Sequence, residues 1–193
     1  MIKKDIEQFC PEHQHDWRNW LKAHHKNKAS VWLIIHKVNT PNQNLTWSEA
    51  VDHALCFGWI DSVKKSIDSE RYMQFFSKRK PNSIWSRVNK DKVDSLTENG
   101  LMTDAGQICI DIAKENGSWS FLDPVDTLII PDDLEAQFAN FEGSKTYYES
   151  LSNSVKKNVL YWILSAKRED TRAKRILEIA ESTSKKISPS PFR

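Results

Sequence analysis

Within residues 59–89 the chain gathers Trp59, Asp61, Lys65, Arg79, Lys80, Trp85, Ser86 and Asn89. These are the residue types of an anion or small-ligand pocket. An Arg fork and the amides of a helix N-terminus both suit a phosphate or carboxylate, and Trp rings supply walls for stacking. Trp59 and Asp61 are two apart, so on a strand they share a face. Asp61 is also a candidate general base, but it has no paired acid, nucleophile or metal ligand nearby in sequence, which is a sparse constellation. The competing reading is structural: Asp61 pairs with Arg79 or caps a helix, and the Trp rings fill core.

A second constellation is basic. Arg168, Arg172 and Arg175 are spaced by four and three, with Lys167 and Lys174 beside them. On a continuous helix they form one stripe, which can grip phosphates of nucleic acid or of a membrane surface. The competing reading is a solvated face paired with acidic residues elsewhere. No helix-turn-helix glycine turn is present, so nucleic acid is not an expected partner. The six histidines include His13, His15, His24 and His25, close to Cys10, but none has a ligand spacing such as CxxC or HExxH. Metal ligands are therefore not expected. Cys56, beside Phe57 and three residues after His53, reads as a small core residue rather than a nucleophile. Five glycines and no Walker or GxGxxG pattern leave no phosphate cradle of that kind, and no cofactor is expected.

The chain that must position these groups has 193 residues, 39% hydrophobic and 28% charged, with eight Trp and eight Phe. That suffices for a sizeable core and fits one domain with an appended helical piece. The mean hydropathy is -0.62, and apolar runs such as VWLII and VLYWIL fall far short of the roughly 20 residues a membrane span needs. MIKKDIEQFC shows no apolar signal region, and three widely spaced cysteines point to a reducing compartment. The expected location is the cytoplasm, without membrane insertion. The net charge of +2 is unevenly spread: residues 62–92 carry nine basic and three acidic side chains, 93–153 two and twelve, and 154–193 ten and four. Segments of opposite sign are expected to attract one another, or a basic face to meet an anionic partner.

Periodicity predicts a helix over 11–25, a buried strand over 31–38 and turn chemistry in NTPNQN. Thr46-Trp47-Ser48-Glu49 has the form of a capping box, which opens a helix that Gly58 stops. Strands over 59–67 and 71–79 then form a hairpin across DSE. Helices follow over 83–99 and 103–116, stopped by Gly100 and Gly117. SWSFLDPVDTLIIP lacks helical period and marks a boundary, beyond which four short helices are expected. The fold class is α+β, a small antiparallel β-sheet packed with helices and followed by an all-helical module. The expected division is an α+β domain over 10–117, a helical module over 131–183 and a disordered tail over 184–193.

LTWSEAVDHALCFGWIDS, RYMQFFSKRKPNSIWSRVN and GLMTDAG, followed by PDDLEAQF and SVKKNVLYWILSAKREDTRAKRI, resemble the bacterial YdeI/OmpD-associated or bacteriocin-protection proteins. The C-terminal strings resemble the OmdA-type helical module of that family, and the resemblance spans roughly residues 10–183. Some members carry a different, iron-chaperone-like domain ahead of this module. The resemblance implies a role in tolerance of antimicrobial peptides, bacteriocins or envelope stress, and it carries no catalytic residue onto this chain. The expected function is thus a non-catalytic binding protein acting through a small anionic ligand or a protein partner. The alternatives are an enzyme using the Trp59/Asp61/Arg79/Trp85 pocket, and surface binding through the basic stripe.

Overall fold

The computed structural model describes residues 6–189. The chain divides into two compact units between Ser120 and Phe121, inside the stretch without helical period. The first unit runs β1 (Gln8–Phe9), α1 (Gln14–His24), β2 (Ser30–His36), α2 (Trp47–Cys56), β3 (Trp59–Ser66), β4 (Arg71–Lys78), α3 (Arg87–Glu98) and α4 (Asp104–Glu115). The second holds α5 (Asp123–Asp126), α6 (Asp132–Phe138), α7 (Ser144–Ser150), α8 (Asn153–Leu164) and α9 (Glu169–Ser184). The α+β class is as expected.

The sheet has four strands in the order β1-β2-β4-β3. β2 and β3 each run antiparallel to β4, while β1 joins β2 in parallel, so the sheet is mixed rather than wholly antiparallel. β1 has only two residues, too few to show a period, and its pairing is a tertiary event. β2 and β4 alternate buried with half-buried positions. Val31, Leu33, Ile35, Tyr72 and Phe76 point inward to α1 and α2, where Trp17 packs on Phe76 with ring centroids 5.2 Å apart and Trp20 meets Trp59 edge-on at 5.7 Å. The Trp17 indole N–H donates to the Ala50 carbonyl at 3.0 Å, which fixes α1 against α2. Offset and edge-to-face ring pairs of this kind add to plain burial.

α2 opens on the expected capping box. The Thr46 N–H donates to Glu49 Oε2 at 2.7 Å, and the Glu49 N–H donates to Thr46 Oγ1 at 3.2 Å. α3 begins at Arg87, later than the period suggests, because Ser86 is its cap: the Ser86 hydroxyl accepts from the Asn89 N–H at 3.3 Å. The residues before it form a turn, with the Ser83 N–H on the Lys80 carbonyl.

In the second unit, Leu134, Phe138, Tyr148, Val159, Ile163 and Ile179 make the core. On α9, Ile176, Ile179, Ala180 and Thr183 face inward, while Ala173 and Leu177 are exposed. α9 closes with the Ile187 N–H on the Ser182 carbonyl and the Lys186 N–H on the Thr183 carbonyl, Lys186 standing at φ 55°. The end of the tail expected to be disordered, residues 190–193, lies outside the described residues.

The Tyr148 hydroxyl is buried without a partner, and burial pushes its pKa up to about 12. A phenol raised above its unfolded value supports the fold fully below that value, and the support is lost as pH rises through the folded one. Between about pH 10 and 12 Tyr148 therefore makes stability fall with rising pH. Tyr148→Phe should remove that fall. At neutral pH it should shift stability by less than about 1 kcal/mol, since no hydrogen bond is lost. Urea unfolding at neutral and at alkaline pH checks both.

Candidate functional site

The eight residues of the first constellation separate into four places, one of them the core, which takes Trp59. The first is a corner where β4 ends. The Arg79 N–H donates to the Gly58 carbonyl at 2.9 Å, joining the end of β4 to the turn before β3. The Arg79 guanidinium lies 3.6 Å from the Trp85 ring centroid, and its Nη2 donates to the Ile84 carbonyl at 2.7 Å. Trp85 is 1% exposed and packs on Trp119 with centroids 5.0 Å apart, and its backbone N–H donates to the Ser118 carbonyl. Asn116 Nδ2 donates to the Pro81 carbonyl at 3.0 Å, so the turn before Trp85 is tied to the end of α4. Ser86 and Asn89 continue this corner as cap and first turn of α3, and Lys80 is exposed beside it.

Arg79 is only 8% exposed. Its Nε and Nη1 have no hydrogen-bond partner, and none of the contacts described for it is with a carboxylate. Burial pulls its pKa down to about 10. A guanidinium with five donors and no acceptor is costly to bury without an anion. The Cys109 thiol stands 3.9 Å from the same Gly58 carbonyl, and burial pushes its pKa up, so it is not a ready thiolate. Gly58 has φ +71°, and a Cβ there would come within 2.6 Å of Cys109 Sγ. Glycine is needed at this position for both conformation and space.

Asp61 occupies a second place. Its Oδ2 accepts from the Trp47 indole N–H at 2.9 Å and from Gln74 Nε2 at 3.0 Å. It is thus held by two neutral donors rather than paired with Arg79, as the structural reading expected. Sequence reasoning missed Trp47 and Gln74. The signal was the alternation in β4, where Gln74 lies between the inward Tyr72 and Phe76. Lys65 is in the third place. A register shift between Asp61 and Lys64 puts Lys65 opposite Met73, on the other sheet face. Its ammonium sits 4.6 Å from the Trp32 ring. Trp59, also 1% exposed, belongs to the core and lines no wall. Both rings are buried against other aromatic side chains, Trp59 on Trp20 and Trp85 on Trp119.

The basic stripe is not continuous. Arg168 is the cap of α9 in extended conformation, so Lys167 and Arg168 precede the helix. Arg168 pairs with Asp170. Arg172 forms a two-pronged pair with Asp133, with Nε to Oδ2 at 2.6 Å and Nη2 to Oδ1 at 2.9 Å, and its guanidinium holds that carboxyl below the usual range. Arg175 donates to Ser165 Oγ at 3.1 Å and lies over the Trp162 ring. The acidic segment answers the basic one here, as Lys157 on Asp126 also shows. His53 and Cys56 read as structural: burial lowers the first pKa and raises the second. Among the described residues no group of three His, Cys, Asp or Glu could hold a metal ion, and no helix is long and apolar enough to cross a membrane.

Two family models divide the chain. Residues 9–109 match a domain of unknown function (DUF8412), and residues 127–186 match the family described as bacteriocin-protection, YdeI or OmpD-associated. The resemblance read over roughly 10–183 thus narrows to the helical module. No curated protein and no solved structure matches. The chain belongs to the DUF8412 family, and its second unit carries a module similar to the family described as bacteriocin-protection, YdeI or OmpD-associated.

Proposed function

We propose that this protein is a non-catalytic cytoplasmic binding protein that supports tolerance of bacteriocins, antimicrobial peptides or envelope stress by holding a small anionic ligand. The protective role is supported by the likeness of the second unit to a family described as bacteriocin-protection. The ligand class rests on one observation, the buried Arg79 guanidinium with two unused donors and no carboxylate among its described contacts. An anion with two acceptor oxygens would complete that fork and offset the cost of burying the charge. Lys80 and the capped first turn of α3 supply a cationic approach. The donors are enclosed, so entry requires the 81–84 turn to shift, releasing Nη2 from the Ile84 carbonyl.

A thermal-shift screen with inorganic phosphate, pyrophosphate, nucleotides and dicarboxylates tests this. A ligand at roughly ten times its dissociation constant should raise the melting temperature by about 5 °C in the native protein and leave Arg79→Ala unmoved. Arg79→Met is the second variant, because it keeps the apolar packing on Trp85. If no anion stabilises the native protein and Arg79→Met is less stable than the parent, Arg79 is a structural cation and the reading fails.

A further inference from the structure

We propose that the outward face of the β-sheet binds single-stranded nucleic acid, with Trp32 and Phe75 as the rings on which bases stack. All the strongly buried positions of β2 and β4 lie on the inward face, and the alternate positions are only half-buried. Paired residues of an antiparallel ladder share a face. The outward face therefore carries Trp32 opposite Phe75 and Ile34 opposite Met73 on the two central strands, with Lys65 on β3. The Trp32 and Phe75 rings meet edge-on with centroids 4.9 Å apart. Two aromatic rings side by side on central strands form a stacking platform, and every base has a π-face to place on it.

Charge selects the occupant. The Lys65 ammonium rests over the Trp32 ring, and on binding it gives its place to a base and turns to the adjoining phosphate. At the end of the sheet where β2 begins and β4 ends, Lys26, Lys78 and Lys80 are exposed, and Lys78 Nζ ties the strand to the Lys26 carbonyl at 2.7 Å. His36 and Arg71 share the face at the other end. The nearby carboxylates of Glu7 and Asp68 are paired with Lys28 and Arg71, so Arg71 adds no net charge to the face, and Glu70 sits in the same turn as Asp68. Aromatic rings with a cation on the face and lysines at one end fit a polyanion that carries flat rings. The absence of a helix-turn-helix speaks to duplex reading and does not bear on this face.

Fluorescence anisotropy with labelled oligo-dT and oligo-U of about 20 nucleotides, and with a duplex of the same length, is the test. Single strands should bind more tightly than the duplex and quench tryptophan emission. Trp32→Ala and Phe75→Ala should each weaken binding about tenfold. Lys65→Gln should weaken it about threefold and lower the salt slope by about one. Lys174→Gln on α9 should leave it unchanged. Phe75→Leu keeps the strand packed without a ring for stacking, and should also weaken binding if Phe75→Ala fails to fold. Binding that ignores Trp32 and Phe75, equal binding of duplex, or no binding at low salt would overturn the proposal. Self-association lost in Phe75→Leu, without oligonucleotide binding, would assign the face to a protein surface instead.

Discussion

Trp59→Ala should destabilise the first unit by about 3–5 kcal/mol, the range for removing a large ring from a packed core. Trp59 is 1% exposed, and Trp20 packs edge-on against it. Nothing within the fold can move to refill such a volume without breaking the Trp17–Trp20 stack, whose centroids are 5.3 Å apart. Trp59→Phe should cost only about 1–2 kcal/mol, because the indole N–H it removes has no hydrogen-bond partner. Urea unfolding followed by far-UV circular dichroism measures both. A loss below about 1 kcal/mol for Trp59→Ala would return Trp59 to the wall of a pocket.

Gly58→Ala should cost about 2–4 kcal/mol, from two sources that can be separated. One is backbone: φ is +71°, where an L side chain is strained. The other is contact: the added methyl would meet Cys109 Sγ at 2.6 Å and the Ala105 carbonyl at 3.0 Å. Cys109→Ala in the same chain should recover part of the loss by removing the sulfur, while the backbone share stays. The double-mutant cycle reads the coupling directly. Strict additivity would mean that the sulfur is not the obstacle. The same substitution should disturb the Arg79 corner and, with it, the proposed anion binding, since the Gly58 carbonyl holds the Arg79 backbone N–H.

Some of this architecture was legible before folding because its causes are local. The capping box at Thr46 and Glu49, the glycine stop at Gly58 and the hairpin across residues 68–70 depend on groups a few residues apart. Their geometry follows from residue type and spacing. The helical period of α8 and the weak pattern of residues 118–131 likewise marked the second module and the boundary before it.

Other features needed partners that are distant in sequence. VWLII is apolar at every position, so which residues face inward could not be read. Pairing with β4 decides that Val31, Leu33 and Ile35 do and that Trp32 and Ile34 do not. The register shift at Asp61 sends Lys65 to the opposite face, and no local rule fixes where a ladder slips. Asp61 finds Trp47 and Gln74 rather than Arg79, because α2 and β4 converge there in space. Arg168 falls outside α9, which breaks a stripe that spacing alone made continuous. By itself the sequence determined the longer helices and strands and several of their stops, but neither the two-residue β1 nor α5. Only the tertiary structure decided which side chains face one another, since that choice is made by sheet register and by burial summed over distant segments.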